Sequence, residues 1–126
     1  MTLISALAAL PQVAGRVFTT WPASDPPGLF AVVTDDVETP TVSLYGISDV
    51  TTRLTTVGLY LPAGGSQIDL INAYNAAWDA PKTVTEDATP GLMVHFDRET
   101  GIAPHFDADT HGWTAFVRFR SFLNRT

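Results

Sequence analysis

The sequence predicts an α+β fold, a mostly antiparallel β-sheet with a short N-terminal helix and one longer amphipathic helix packed on it. Helical and strand patterns follow the order helix, strands, helix, strands, which differs from the strict alternation of β-α-β units. Hydrophobic residues make up 45% of the 126 residues, enough for a core and too many for a disordered chain. No repeat or low-complexity linker divides the chain. We therefore expect a single domain spanning residues 1–126.

The first half of the chain predicts one short helix followed by strands. Apolar residues recur at helical spacing over residues 3–10. This helix is predicted to begin at Thr2 or Ser5 and to end at Pro11. The continuous apolar run 29–34 predicts a strand that is covered on both faces. Strands are predicted over residues 16–21, 29–34, 41–45 and 53–61, with the polar stretch 35–40 as a break.

A second helix is predicted after the Pro-Ala-Gly-Gly sequence at residues 62–65, which interrupts the preceding strand. Ser66 is the N-cap candidate, and Asp69 lies three residues later, where a capping box places its acidic member. Pro81 marks the end of this helix, the longest that the sequence predicts. Its apolar face is predicted to comprise Ile68, Leu70, Ile71, Tyr74, Ala77 and Trp78.

After the second helix the pattern returns to strands, which are predicted over residues 83–85, 92–96 and 113–122. Successive side chains of a strand point to opposite faces, so alternating apolar residues identify the core face. The residues assigned to the core on this basis are Thr55, Val57, Leu59 and Leu61 in one strand and Trp113, Ala115, Val117 and Phe119 in another.

Charge and composition exclude several function classes. Acidic residues outnumber basic residues 13 to 7, and the resulting net charge of −6 argues against nucleic-acid binding, sequence-specific binding included. No apolar stretch reaches the roughly 20 residues that cross a bilayer, and no basic residue precedes residues 3–10 as in a secretion signal. We therefore expect a cytoplasmic protein without membrane contact. The absence of cysteine excludes disulfides and thiol chemistry.

One stretch could hold a metal ion. All three histidines (His95, His105 and His111) lie in the sequence HFDRETGIAPHFDADTH, together with Asp97, Asp107 and Asp109. On an extended chain His105, Asp107, Asp109 and His111 would share a face, and such ligands suit Zn, Mn or Fe. The spacing matches no zinc signature, and the local Gly and Pro favour a loop. We therefore expect no metal, cofactor or catalytic residue, and keep a small His/Asp metal-dependent enzyme as the less favoured alternative.

The arginines predict a contact surface between subunits. Arg118 and Arg120 occupy one face of the last predicted strand, opposite its core residues. Arginine is enriched at interfaces because its planar guanidinium pairs with carboxylates and tolerates desolvation. Seven of the acidic residues lie between positions 79 and 109. An acidic loop of one subunit that meets a basic strand of the next makes a head-to-tail contact, which can close as a ring. The predicted partner-binding residues are Arg118, Arg120, Arg53 and Arg16.

The order of these segments resembles a known family, the tail terminator (tail-completion) proteins of long-tailed bacteriophages. The resemblance covers nearly the whole chain and concerns its layout, with no single diagnostic motif. The segments that carry it are LISALAAL, AGRVFTTWP, GLFAVV, RLTTVGLYLPAGGSQIDLINAYNAAWDA and THGWTAFVRFRSFL.

This resemblance implies a non-enzymatic subunit of the virion tail, assembled in the host cytoplasm. Such a subunit forms a homo-oligomeric ring, a hexamer in the family, that caps the tail tube and stops its polymerisation. The ring also forms the head-joining interface. The implied partners are other copies of the chain, the tail tube protein and the head-tail connector proteins. A head-tail adaptor or another minor tail subunit is the alternative within virion assembly.

Overall fold

The structure is a computed structural model that describes residues 2–24, 26–43, 46–62, 64–84, 92–109 and 112–125. Within its strands, only the backbone is described at residues 36–43, 46–51, 92–95 and 123–125. Its helices are α1 (Leu3–Ala8), α2 (Gln67–Asp79) and a short 3₁₀ helix (Ala80–Thr83). Its strands are β1 (Val17–Phe18), β2 (Phe30–Ser43), β3 (Gly46–Leu61), β4 (Leu92–Asp107) and β5 (Gly112–Arg125).

The strands form one five-stranded sheet in the order β1-β2-β3-β5-β4. The short β1 pairs with β2 in parallel, and every other neighbouring pair is antiparallel. Two long hairpins, β2–β3 and β4–β5, therefore supply most of the sheet, and β3 pairs with β5 where the hairpins meet. This arrangement confirms the predicted α+β class with a mostly antiparallel sheet.

Several strand predictions were wrong in extent, and the strands predicted over 53–61, 92–96 and 113–122 are longer than expected. The stretch 35–40 does not break its strand, because β2 continues through it with a shift of pairing register between Asp35 and Glu38. Such a bulge takes an extra residue into a strand without ending it. The strand predicted over 16–21 contracts to β1. In the strand predicted over 83–85, Thr83 ends the 3₁₀ helix and residue 85 lies outside the described residues.

The hydrophobic core lies between the two helices and one face of the sheet, which we call the covered face. Alternation on β3 and β5 follows the prediction, since Val57, Leu59, Ala115 and Val117 are fully buried and Phe119 is 1% exposed. The remaining buried core residues come mainly from the helices and β2. They include Leu3, Leu7, Val13, Leu29, Ala31, Val33, Leu70, Ala73 and Ala77.

Helix α1 begins as predicted, with Thr2 as its N-cap. The Thr2 hydroxyl accepts a hydrogen bond from the backbone N–H of Ser5 at 3.2 Å, which satisfies one donor of the first turn. The helix ends at Ala8, before the predicted stop at Pro11. No helix in the described segments is long and apolar enough to cross a membrane.

Helix α2 differs from the prediction in the face that it buries. Ser66 is the N-cap residue, but its side chain makes no capping hydrogen bond. Leu70, Ala73 and Ala77 form the buried stripe, whereas Ile68 is 68% exposed and Ile71 is 46% exposed. At about 100° per residue, Ile68 points away from that stripe, so one helix cannot bury both sets. The predicted apolar face was therefore too wide.

Candidate functional site

The face of the sheet opposite the helices, which we call the open face, carries a continuous line of ring side chains. It begins on β1, crosses β2, β3 and β5, and ends on β4. We call this line the aromatic row, and its members are Phe18, Trp21, Phe30, Tyr60, Phe116 and His105.

Each ring of the row packs against the next. The Phe18 and Phe30 ring centroids are 6.0 Å apart, and Phe30 stacks on Tyr60 at 5.4 Å. Tyr60 meets Phe116 edge-on at 5.9 Å, and the His105 ring lies 6.4 Å from Phe116. These are the separations at which aromatic pairs attract beyond simple burial of area.

Strand register explains why the row exists. Phe30 of β2 pairs with Tyr60 of β3. Gly58 is two residues from Tyr60, so it lies on the same face of β3, and it pairs with Phe116 of β5. The three rings therefore emerge on the same face of neighbouring strands. Gly58 leaves room for the Tyr60 ring, which lies back over it. A Cβ atom at Gly58 would be 2.7 Å from the Tyr60 hydroxyl oxygen. The glycine is therefore part of the geometry of the row.

The middle of the row is sheltered, whereas large apolar side chains at its surface and beside it are exposed. Phe30 is only 5% exposed because the Trp21 ring, from the segment after β1, lies over both Phe30 and Tyr60. Trp21 itself is 55% exposed, and Ile102, which pairs with Phe116 from β4, is 54% exposed. Burial raises the pKa of the Tyr60 hydroxyl above its usual 10.0, and the negative charge of Asp107 adds to this. The open face thus presents large apolar groups to solvent at both edges of the sheet.

An open hollow adjoins the row at its β1 end. It has a volume of about 550 Å³ and is lined by Arg16, Phe18 and Trp21 together with the prolines that follow. Because Phe18 and Trp21 belong to both features, the hollow extends the same apolar surface beyond the edge of the sheet.

Arg118 and Arg120, predicted to bind a partner, lie together on the open face beside the aromatic row. Arg118 pairs with Thr56 across the strands, and its Nε donates a hydrogen bond to the Thr56 hydroxyl oxygen at 3.2 Å. Arg120 forms an ion pair with Glu99 of β4 at 3.2 Å, and its side chain is 48% exposed. The structure therefore brings together two of the four predicted arginines.

The other two arginines lie elsewhere and interact with residues of the same chain. Arg53 is on the covered face, where its side chain is 9% exposed and its Nε lies 3.5 Å from a carboxylate oxygen of Asp35. Arg16 precedes β1 and donates hydrogen bonds to the carbonyl oxygens of Leu29 and Gln12. The four residues do not form one surface. Partner binding by any of them stays a prediction.

The histidine-rich stretch is a strand as far as Asp107, whereas the sequence favoured a loop. β4 extends to Asp107, with an irregularity between Ile102 and His105 that accommodates Pro104. His105 Nδ1 lies 3.0 Å from the Ala103 carbonyl oxygen, and its Nε2 lies 3.3 Å from the Thr114 hydroxyl. The described residues contain no group of three or more His, Asp or Glu placed to hold a metal ion. The side chain of His95 and all of His111 lie outside the described residues.

The aromatic row was missed at the level of sequence, although part of its signal is visible there. Tyr60 and Phe116 alternate with core residues, so strand period two places them on the solvent side of their strands. Large aromatic residues at such positions are the signal. Trp21 gives no such signal, because only the tertiary fold places it over Phe30.

A comparison with models of known protein families finds no match, and a search of curated protein sequences finds no relative.

Proposed function

We propose that the protein is a structural subunit of a phage tail, a terminator that assembles into a ring and caps the tail tube. It works through protein–protein contacts and transforms no small molecule. The observation that supports this proposal best is the open face, where the aromatic row lies beside Arg118 and Arg120.

The composition of this face is that of a protein contact. Aromatic residues and arginine are enriched at interfaces, and they dominate binding energy when they are desolvated near its centre. Trp21 and Ile102 are more than half exposed on a face that no described helix covers. A partner that covers them removes apolar surface from water, at roughly 25 cal/mol per Å².

The layout of the chain supports the more specific role. A short apolar helix, a long strand that runs into one amphipathic helix, and a final β segment occur in the order that resembles tail terminators. A terminator must bind copies of itself, the tail tube protein and the head-tail connector. A subunit of this kind needs several separate contact surfaces and no catalytic centre.

The proposal is tested by reversing charge on the open face. In Arg118→Glu with Arg120→Glu, we expect a folded monomer, because the positive groups beside the aromatic row are replaced by carboxylates. Light scattering gives the mass, and circular dichroism checks the fold. The matched control is Lys82→Glu with Arg98→Glu, which changes the net charge equally at two exposed residues that both pair with Asp79. An oligomer that survives the first substitution would contradict the proposed surface.

Electron microscopy of particles made without the protein separates the possible roles in assembly. A terminator stops tube polymerisation, so its loss is expected to give overlong tails. Tailless heads with normal free tails would instead identify a head-tail adaptor.

Metal analysis tests the enzymatic alternative directly. Protein purified without a histidine tag is expected to carry no stoichiometric Zn, Mn or Fe, and a chelator is expected to leave its unfolding temperature unchanged. One bound ion per chain would contradict the proposal and favour a His/Asp metal-dependent enzyme.

A further inference from the structure

The hollow beside β1 is lined by a cationic group whose partners are carbonyl oxygens. Arg16 lines this hollow and is half-buried. Its Nε donates to the Leu29 carbonyl oxygen at 2.9 Å, and its Nη2 donates to the Gln12 carbonyl oxygen at 3.2 Å. In the described part of the chain no Asp or Glu forms an ion pair with Arg16. Its positive charge therefore has no local counter-charge there.

Two other arginines of this chain have carboxylate partners instead. Arg98 pairs with Asp79 at 2.8 Å, and Arg120 pairs with Glu99 at 3.2 Å. A carbonyl dipole orients a guanidinium but leaves its net charge in place, whereas a carboxylate cancels that charge. Of these three arginines, Arg16 is therefore the one whose charge is left to attract an anion.

We propose that the hollow binds a small organic monoanion, a carboxylate attached to a flat apolar ring. The carboxylate contacts the guanidinium of Arg16, and the ring lies against Phe18 and Trp21, which line the same hollow. This inference goes beyond the proposed role in assembly and does not depend on it.

The guanidinium of Arg16 is held in place before a ligand arrives. It has five N–H groups, and the two carbonyl oxygens occupy its Nε and Nη2 side. Among the described residues, neither N–H group of Nη1 has an acceptor. Gly28 permits this arrangement, because a Cβ atom there would be 2.8 Å from Nη2. Since the group is already ordered, binding an anion costs little side-chain entropy.

The apolar part of the hollow suits a ring. Trp21 is 55% exposed, and its edge-on packing against Phe30 and Tyr60, at 5.5 and 4.8 Å, fixes it on the sheet. Small-molecule sites have volumes of roughly 300–1,000 Å³ and combine apolar walls with a few polar groups. The hollow, at about 550 Å³, has this size and this composition. One ring-bearing acid therefore fits it.

Charge restricts the ligand to a single negative charge. Arg16 is the one cation among the described residues that line the hollow, and the whole chain has a net charge of −6. A phosphate dianion would keep one unpaired negative charge in an acidic protein, whereas a carboxylate is fully paired and matches the planar guanidinium. Thr20 and Ser24 also line the hollow, and their hydroxyl groups can donate to carboxylate oxygens.

Benzoate is the probe for this site, and benzamide is its neutral isostere. Titration at constant ionic strength, followed by NMR, gives both affinities. The indole N–H signal of Trp21 is identified by its loss in Trp21→Ala. We expect benzoate to shift this signal with millimolar affinity and benzamide to bind about tenfold more weakly, because benzamide lacks the charge. Equal affinities, or a Trp21 signal that benzoate leaves unchanged, would overturn the inference.

Two variants test the part played by the guanidinium. Arg16→Gln removes its charge, and we expect it to abolish benzoate binding. Gly28→Ala places a methyl group against the guanidinium while Gly28 itself does not line the hollow. We expect a folded protein, checked by circular dichroism, that binds benzoate about tenfold more weakly. If Arg16→Gln does not fold, Gly28→Ala decides the question.

The matched control is Arg98→Gln. It removes the same charge from an arginine that also lies beside an indole, 5.6 Å from the Trp78 ring, but is paired with Asp79. We expect its affinity for benzoate to equal that of the natural chain. An unchanged affinity in Gly28→Ala, or an equal loss in Arg98→Gln, would overturn the inference.

Discussion

The two faces of β5 place phenylalanine side chains in different surroundings. Phe119 and Phe116 are three residues apart and point to opposite faces. Phe119 is 1% exposed and packs against Trp78 and Phe96, with ring centroids 5.6 and 6.1 Å away. Phe116 is only half-buried, in a row that no described helix covers. The covered face stabilises the monomer, whereas the open face leaves large apolar side chains exposed to solvent, which we propose that a partner covers.

The largest expected effect contrasts these two phenylalanines. Phe119→Ala removes a fully buried ring and leaves a cavity, so the free energy of unfolding should fall by about 3–5 kcal/mol. Phe116→Ala removes a partly exposed ring and should cost about 1 kcal/mol. Chemical denaturation of the two variants measures the difference. Equal losses would contradict the assignment of the core to one face.

Gly101 and Gly58 provide a second comparison between the two faces of the sheet, with a smaller expected effect. A Cβ atom at Gly101 on the covered face would overlap Trp78 Cζ2 and would lie 3.1 Å from the backbone oxygen of Phe116. Gly101→Ala forces α2 away from the sheet and should cost about 1–3 kcal/mol.

Gly58→Ala is the matched change on the open face, and it meets only the Tyr60 ring, which can swing towards solvent. We expect a smaller loss of stability together with a weakened assembly, measured by denaturation and light scattering. A larger loss for Gly58→Ala than for Gly101→Ala would count against the division between the faces.

Sequence alone was sufficient for the fold class and for the core alternation on β3 and β5, because period two is a local property of a strand. Prediction from sequence failed where contacts between distant segments determine the length of a strand or the buried face of a helix. The polar residues 35–40 resemble a loop, yet pairing with β3 keeps them extended through a bulge. Ile68 and Ile71 have the hydrophobicity of core residues, but the sheet can cover only one stripe of α2.

The placement of the four predicted arginines divided in the same way, while their binding to a partner stays a prediction. Arg118 and Arg120 share a face because they are two residues apart on one strand. Arg53 is on a different strand face, and Arg16 is held by carbonyl oxygens of residues distant in sequence, at positions 12 and 29. Such contacts arise from chain packing, which residue type alone does not encode.

The alkaline stability of the protein should report on the open face. The raised pKa of Tyr60 means that the folded state favours its neutral form, while the unfolded state ionises near pH 10.0. The contribution of Tyr60 to stability is therefore complete below pH 10.0 and is lost as the pH rises through the folded pKa. Tyr60→Phe should reduce this alkaline loss in denaturation measured across that range. An unchanged alkaline profile in Tyr60→Phe would mean that Tyr60 is not shielded by the row.

The smallest effect is expected at low pH, from Asp79 at the end of α2. Hydrogen bonding and charge from Lys82, with a further contribution from Arg98, lower the pKa of Asp79 below its usual 3.8. Its contribution to stability is present above pH 3.8 and is lost as the pH falls through the folded pKa. Because the Asp79 side chain is 58% exposed, solvent screens its ion pairs, and Asp79→Asn should change the acid profile only slightly. A large change in acid unfolding would contradict this weak coupling.

We propose that the open face of each copy is covered by another copy. The mass of the intact, unmodified protein in solution, measured across a range of concentrations, tests it most directly. We expect one closed assembly with a fixed copy number, six on the basis of the resemblance to tail terminators. A monomer that persists at every concentration would contradict it.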